Sequence, residues 1–260
     1  RAMAERISRA LLPDNTSVAD DGMATFGGVR TDDLVTQFGT PLFVYDEDHI
    51  RKRCQEAVKA FPDGVSYASK AFLCKAIAKL VHEEGMGLDV ATIGEAYIAL
   101  QSGVPASDLT LHGNNKSMEE LRYAVDNGIG KVVIDSFDEI DKIEHLYATT
   151  KTPIKALVRV TPGVEAYTHK YVTTGQVDSK FGFTVQNGQA GKAIERARSS
   201  GAIDLIGLHA HIGSQIFTSD SFRKSTDILV KLAEHFGLPE LCVGGGLGVP
   251  YLNDESSIPI

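Results

Sequence analysis

The chain has no tryptophan, only three cysteines in 260 residues, and no excess of positive charge. Cys54, Cys74 and Cys242 are odd in number and scattered, so they make no disulfide framework and read as reduced intracellular thiols. Lys and Arg number 26 against 34 Asp and Glu, a formal net charge of -8. That balance argues against nucleic acid as the main partner, because phosphate backbones require a basic patch. A local basic site for a small anion is still compatible with an acidic whole. No apolar run approaches a membrane span and no charged-then-apolar leader is seen, so no membrane partner and a cytoplasmic location are expected. Low-complexity tracts and long single-sign runs are missing too, which excludes a disordered or fibrous chain.

What is present is enough apolar residue, 43%, to bury one sizeable core. After an arm of about thirty residues with little periodicity, Pro41-Leu42-Phe43-Val44-Tyr45 reads as a strand. Asp46 or Asp48 then caps a helix with Ile50, Cys54, Val58 and Phe61 at helical spacing. From there short apolar runs alternate with helical segments. The runs are 65–69, 87–90, 109–112, 132–134, 156–160, 205–209 and 241–243. Ser117 with Glu120, and Ser136 with Glu139, fit capping boxes, while Gly103 and Gly128 stand at expected helix stops. The segment from Ser219 to Gly237 puts Phe222, Leu229, Leu232 and Phe236 on one helical face. Such alternation means βαβ units and a parallel sheet, and about seven runs favour a (β/α) TIM barrel over an open sheet.

Barrels of this kind carry their chemistry where strands end and loops begin. Those ends hold Ser69-Lys70, Asp89, His112, Asp135-Ser136, Arg159, then His209 with His211 and Ser214, and finally Gly244, Gly245 and Gly246. Each alone has an ordinary explanation. A lysine after a strand is usually solvated, Ser136 reads as a helix cap, and a triple glycine can be a tight turn. His209 and His211 are expected to face opposite ways, with at least one a core histidine. Together the set is harder to dismiss: glycines without Cβ atoms form a backbone nest for phosphate. A lysine desolvated among other cations is primed as a Schiff-base nucleophile. A metal site built from His112, His209, His211 and Asp89 is the competing reading, but the lysine and glycines fit a phosphorylated aldehyde better.

At these residues the sequence resembles the fold-type III pyridoxal-phosphate-dependent decarboxylases, and within them the branch acting on diaminopimelate. The matching motifs are Tyr67-Ala68-Ser69-Lys70-Ala71, Gly87-Leu88-Asp89-Val90 with Gly94-Glu95, and His112-Gly113-Asn114-Asn115-Lys116. They continue with Arg159 to Ala166, Thr168-His169, Lys180-Phe181-Gly182, Gly207 to Gln215, and Gly244-Gly245-Gly246-Leu247-Gly248. The resemblance is collinear from about Pro41 to Tyr251.

It implies an α/β fold, a (β/α)8-type barrel of the alanine racemase type. Residues 46–260 are expected to form this pyridoxal-phosphate-binding barrel without its last strand. Residues 1–45 are expected to be an arm and a strand that pack with a β domain outside the chain. Lys70 would be the catalytic lysine, holding pyridoxal 5′-phosphate as a Schiff base. His211 would stack on the pyridine ring, and Ser214, Gly244, Gly245 and Gly246 would hold the phosphate. Asp89, Glu95, His112 and Arg159 would line the pocket; no metal is implied. The implied reaction is decarboxylation of meso-diaminopimelate to L-lysine and carbon dioxide, the last step of lysine biosynthesis, in a homodimer.

The family's Glu-Pro-Gly-Arg and Cys-Glu-Ser motifs do not occur here. The chain starts at Arg1 and stops at Ile260, so it is expected to be a fragment, inactive alone. The alternatives are a decarboxylase of ornithine, arginine or a carboxylated polyamine, an amino-acid racemase, and a non-catalytic pyridoxal-phosphate-binding protein.

Overall fold

The computed structural model describes residues 8–164, 180–253 and 255–260. The Thr168-His169 motif, and Glu165 and Ala166 before it, lie outside the described residues. After a 3-10 turn at Arg9–Leu11, the described residues form three short strands, β1 (Ser17–Val18), β2 (Ala24–Phe26) and β3 (Val29–Arg30), followed by α1 (Thr31–Phe38) and α2 (Glu47–Ala60). Then come β4 (Ser66–Ala68), α3 (Lys75–Glu83), β5 (Gly87–Val90), α4 (Ile93–Gln101), β6 (Leu109–Leu111) and α5 (Met118–Asn127). They are followed by β7 (Lys131–Ile134), α6 (Phe137–Thr150), β8 (Ile154–Thr161), β9 (Phe183–Thr184) and α7 (Gln189–Arg198). The last are β10 (Ile203–His209), α8 (Ser219–Phe236) and β11 (Glu240–Cys242).

All seven expected runs are strands, and they lie side by side in chain order, β4-β5-β6-β7-β8-β10-β11. Every neighbouring pair is parallel. An order that never reverses is that of a barrel, whereas a doubly wound sheet reverses at a switch point. Contacts between distant strands show the curl. Strands β6 and β10 stand three places apart, about 14 Å in a flat sheet, yet the His112 and His209 rings beyond and on them are 5.0 Å apart. At the opposite end Lys131 of β7 pairs with Glu240 of β11. In the described residues β4 and β11 each have a neighbour on one side only, so the ring is open between them.

Sequence explains much of this directly. Strand β8 is buried at all but one position, as expected of a parallel strand covered on both faces. The helices pack outside it through Ile140 and Ile143 of α6, Ile194 of α7 and Leu229 of α8, all at most 1% exposed. Each such side chain contributes about 1.5–3 kcal/mol relative to exposure. Gly207 has no room for a side chain, because a Cβ there would run into the Glu240 carbonyl of β11.

Two expectations change. Pro41 to Tyr45 forms no strand, since a strand needs a backbone partner and none faces this segment among the described residues. Phe43 is 88% exposed there and Tyr45 stacks on Phe72 instead, with ring centroids 4.5 Å apart. The arm is also less extended than its composition suggests. It folds as the antiparallel sheet β1-β2-β3 and docks on the start of α2, where Asp14 pairs with Lys52 at 2.6 Å and Arg53 at 2.9 Å. Asp46 caps α2, accepting from the His49 N–H at 3.0 Å.

Candidate functional site

Strand β4 ends in a tight turn. The Ser69 N–H reaches the Asp89 carbonyl at 3.0 Å, and the Ala71 N–H returns to the Ala68 carbonyl at 3.1 Å, which lifts Lys70 above the sheet. Ser69 is buried and its hydroxyl makes no hydrogen bond among the described residues. Lys70 itself is exposed. The desolvation expected of it is therefore not supplied by the described residues, because β4 is the open edge of the ring.

The next two strand ends face each other. Asp89 of β5 lies 3.3 Å from His112 Nε2, the residue after β6. The His112 ring meets His209 edge to face, at 73°. His209 is buried and its Nδ1 has no hydrogen bond among the described residues. Burial first, and then His112, Arg159, His211 and Lys116, hold its pKa well below the usual 6.5. His211 is also pushed down, to about 4, by burial first and then by Arg159, Lys70 and His112, against Asp89, which raises it. Both imidazoles thus sit in one cluster as neutral rings. The expectation that they face opposite ways is wrong for a simple reason: residues two apart in an extended chain share a face.

Arg159 interrupts the apolar run of β8 and is buried. Its Nη1 lies 3.5 Å from Asp135 Oδ2, an ion pair without a hydrogen bond, and its guanidinium covers the Phe181 ring at 4.3 Å. Burial lowers its pKa while Asp135 raises it. Asp135 Oδ1 accepts from the Gly182 N–H at 2.8 Å, so one carboxylate ties β7, β8 and the Phe181-Gly182 turn together.

Behind Asp135 lies a fully buried ion pair. Lys116 Nζ and Glu139 Oε2 are 3.1 Å apart, with both side chains 1% exposed. Nζ also donates to the Gly113 carbonyl at 2.7 Å, and desolvation lowers the Lys116 pKa against the pull of Glu139. The capping box expected at Ser136 is only half formed. Ser136 Oγ accepts from the Glu139 N–H at 3.3 Å, but the Glu139 carboxylate turns inward to Lys116 and the Asp135 N–H. The box at Ser117 and Glu120 is complete. Glu95, expected to line the pocket, directs its carboxylate to the Ala91 N–H at 2.6 Å.

The glycine run after β11 fits tightly against the loop after β10. Gly244 has φ +76° and Gly246 +100°; Cβ atoms there would collide with the Ala210 and Gly213 carbonyls. At Gly245 a Cβ meets nothing within 4 Å. The Ile216 N–H donates to the Gly246 carbonyl at 2.9 Å and the Gly213 carbonyl lies against Gly246, so half-buried Ser214, between Gly213 and Ile216 in sequence, belongs to the loop packed on the glycines. These backbones approach because no side chain separates them.

Lys70, Asp89, His112, Arg159, His211, Ser214 and Gly244 to Gly246 therefore all stand at strand ends on one side of the sheet. Asp135 and Lys116 stand behind the cluster without having been assigned a role from sequence, and Glu139, expected only as the capping partner of Ser136, joins them there. The signal for Asp135 was its place at the end of β7; for the buried pair there was none beyond a polar residue in a short motif. No group of three or more His, Cys, Asp or Glu side chains that could hold a metal occurs among the described residues. An apolar cavity of about 330 Å³, lined by Cys54, Tyr67, Phe72, Ile77 and Met86, lies apart from this mouth.

The chain resembles known proteins along nearly its whole length. Residues 47–260 match the family described as pyridoxal-dependent decarboxylase, pyridoxal binding domain. The chain is 41% identical over 260 residues to diaminopimelate decarboxylase of Mycobacterium tuberculosis, covering 95% of this chain and 58% of that protein. Diaminopimelate decarboxylase of Bacillus subtilis is 44% identical over 248 residues, covering 91% and 56%. Among solved structures, diaminopimelate decarboxylase from M. jannaschii superposes with a TM-score of 0.87 at 30% identity, covering 95% of this chain and 60% of that one. A second structure of it, in complex with L-lysine, gives 0.85 at 31%, covering 94% and 59%. The chain thus spans a little under three fifths of the curated relatives it matches, 58% and 56% in these two cases.

Proposed function

The chain belongs to the pyridoxal-dependent decarboxylases, through the pyridoxal binding domain matched over residues 47–260, and on that premise we propose that it is the cofactor-binding part of an enzyme that decarboxylates meso-diaminopimelate. The products would be L-lysine and carbon dioxide, and the working unit a cytoplasmic homodimer. In support, relatives of that name are 41% and 44% identical to it. No helix among the described residues is long and apolar enough to cross a membrane. Residues 1–45 are read as a separate arm and residues 46–260 as the barrel.

The observation that carries the reading is how close His211 lies to the glycine run and how the polar strand ends gather: a Cβ at Gly246 would lie 3.4 Å from His211 Cε1, while the His112 ring meets His209 at 5.0 Å and Asp89 at 3.3 Å. The donor set fits pyridoxal 5′-phosphate. Gly244, Gly245 and Gly246 carry no Cβ, so their backbone N–H groups would be the ones to hold a phosphate, with Ser214 on the loop packed against them. When bound, the cofactor supplies an electron sink for the charge left on carbon as carbon dioxide departs.

The chain's own residues do the rest. Lys70, exposed at the strand end, is the amine that would hold the cofactor's aldehyde carbon. His211, neutral at physiological pH, offers an uncharged face for an aromatic ring to stack on. Arg159, fixed between Asp135 and Phe181, keeps a positive charge at the mouth that attracts an anionic group. Asp89 and His112, 3.3 Å apart at the ends of neighbouring strands, would offer polar groups to what binds. Because the cofactor does the electronic work, these residues act chiefly by orienting what binds.

The test is borohydride reduction of the purified chain with pyridoxal 5′-phosphate, then peptide mapping. Label is expected on Lys70 alone, with visible Schiff-base absorbance lost in Lys70→Ala. Label on another lysine, or absorbance that survives Lys70→Ala, refutes the assignment. For the substrate, lysine formation from meso-diaminopimelate by the enzyme in its full length is the deciding assay; release of carbon dioxide from ornithine instead would overturn it.

A further inference from the structure

The buried pair behind the mouth has a pattern that core packing does not require. The Glu139 carboxylate accepts from Lys116 Nζ at 3.1 and 3.3 Å, from the Lys116 N–H at 3.1 Å and from the Asp135 N–H at 2.8 Å. Lys116 Nζ in turn donates to the carbonyls of Gly113 and Val133. One side-chain pair therefore knots three stretches: the 112–116 loop after β6, the end of β7 and the first turn of α6. Two of the three carry polar residues of the mouth, His112 and Asp135. The rest of the α6 inner face is apolar, with Ile140, Ile143 and Leu146. Burying two charges costs more than burying apolar side chains of similar volume, so stability alone does not explain this pair.

Resting on the cofactor reading above, we propose that Glu139 is a positioning residue for the cofactor site, holding Asp135 behind Arg159 and, through Lys116, the loop that carries His112. The chain of contacts is continuous. Glu139 fixes the Asp135 backbone, the Asp135 carboxylate meets Arg159 at 3.5 Å and the Gly182 N–H at 2.8 Å, and Arg159 lies on Phe181. Lys116 neutralises Glu139 so that the carboxylate can serve two backbone donors inside the protein. Neither residue touches the mouth itself, so both act through others.

The decisive variant is Glu139→Asp. It keeps the charge, and hence the neutral pair, but withdraws the carboxylate by about 1.5 Å, one C–C bond. Contacts at 2.8–3.1 Å cannot all survive that withdrawal. Pyridoxal 5′-phosphate is titrated by its Schiff-base absorbance well below the melting temperature, with borohydride trapping on Lys70 of the parent as reference. Affinity is expected to fall about ten-fold, at the lower end of what loss of an orienting group causes. Ile143→Val, on the same helix and buried, serves as the control that loosens packing only and should stay within about two-fold. Affinity of Glu139→Asp within two-fold of the parent overturns the proposal. Should that variant give no folded protein, Asp135→Ala cuts the next link and leaves the ion pair intact: a ten-fold loss supports the proposal and unchanged affinity overturns it. A parent chain that takes no label at Lys70 defeats the cofactor reading instead, which keeps the two failures apart.

Discussion

Gly245 and Gly246 are neighbours in sequence, yet adding one methyl group to each should have opposite results. At Gly246 the backbone has φ +100°, and the new Cβ would strike the Gly213 carbonyl and come within 3.4 Å of His211 Cε1. An L-residue in a left-handed conformation costs about 1–2 kcal/mol. Relieving the collision means parting the loop after β10 from the loop after β11. That breaks the Ile216 N–H to Gly246 carbonyl bond of 2.9 Å, a further loss of about 0.5–1.5 kcal/mol. The combined effect of about 1.5–3.5 kcal/mol corresponds to roughly 10- to 400-fold weaker pyridoxal 5′-phosphate binding when the two loops must stay together to hold the phosphate. Gly245→Ala meets nothing within 4 Å and should bind as the parent does. The assay is an absorbance titration with both variants in parallel, and tyrosine, in a chain without tryptophan, leaves the cofactor band clear. Far-UV melting curves show whether the cost falls on the fold instead. Gly246→Ala binding within about three-fold of the parent, or Gly245→Ala losing as much as Gly246→Ala, would refute the glycine nest.

Two further outcomes follow from burial. His211 is neutral in the folded chain down to about pH 4, whereas in the unfolded chain it takes a proton near 6.5. Its contribution to stability is full above pH 6.5 and is lost as the pH falls through that window toward 4, by up to roughly 3 kcal/mol. Urea midpoints measured from pH 7 to 4.5 should fall, and His211→Gln should flatten the fall in part, since His209 has a shift of the same sign; an unchanged profile contradicts the neutral-ring reading. Leu229 is fully buried where α8 packs on the sheet, so Leu229→Ala should lose about 2–5 kcal/mol in chemical denaturation with cofactor affinity unchanged. A loss under 1 kcal/mol would mean that α8 is not packed as described.

The barrel was legible because its signals are local. A parallel strand buried on both faces leaves a continuous apolar run, and Ser117 and Gly128 announce the start and stop of α5 within a few residues. Polar residues at strand ends were legible by their interruption of that pattern, Arg159 most clearly. Other features were not. The run Pro41 to Tyr45 has strand composition but no partner to pair with among the described residues, and composition cannot show whether an edge is available. Glu139 sits where a capping box would use it, and only the fold brings Lys116 close enough to draw its carboxylate inside.

By itself, then, the sequence determined the alternation of strands and helices, the strand ends at which the chemistry gathers, and the family motif around Lys70. Each depends on spacing along the chain or on the residue types themselves. Tertiary structure decided which of those ends meet. It curled the sheet until the rings of His112 and His209 met, and it set a buried ion pair behind Asp135. Those are distances between residues far apart in sequence, fixed by how the strands twist and pack, and no local pattern encodes them.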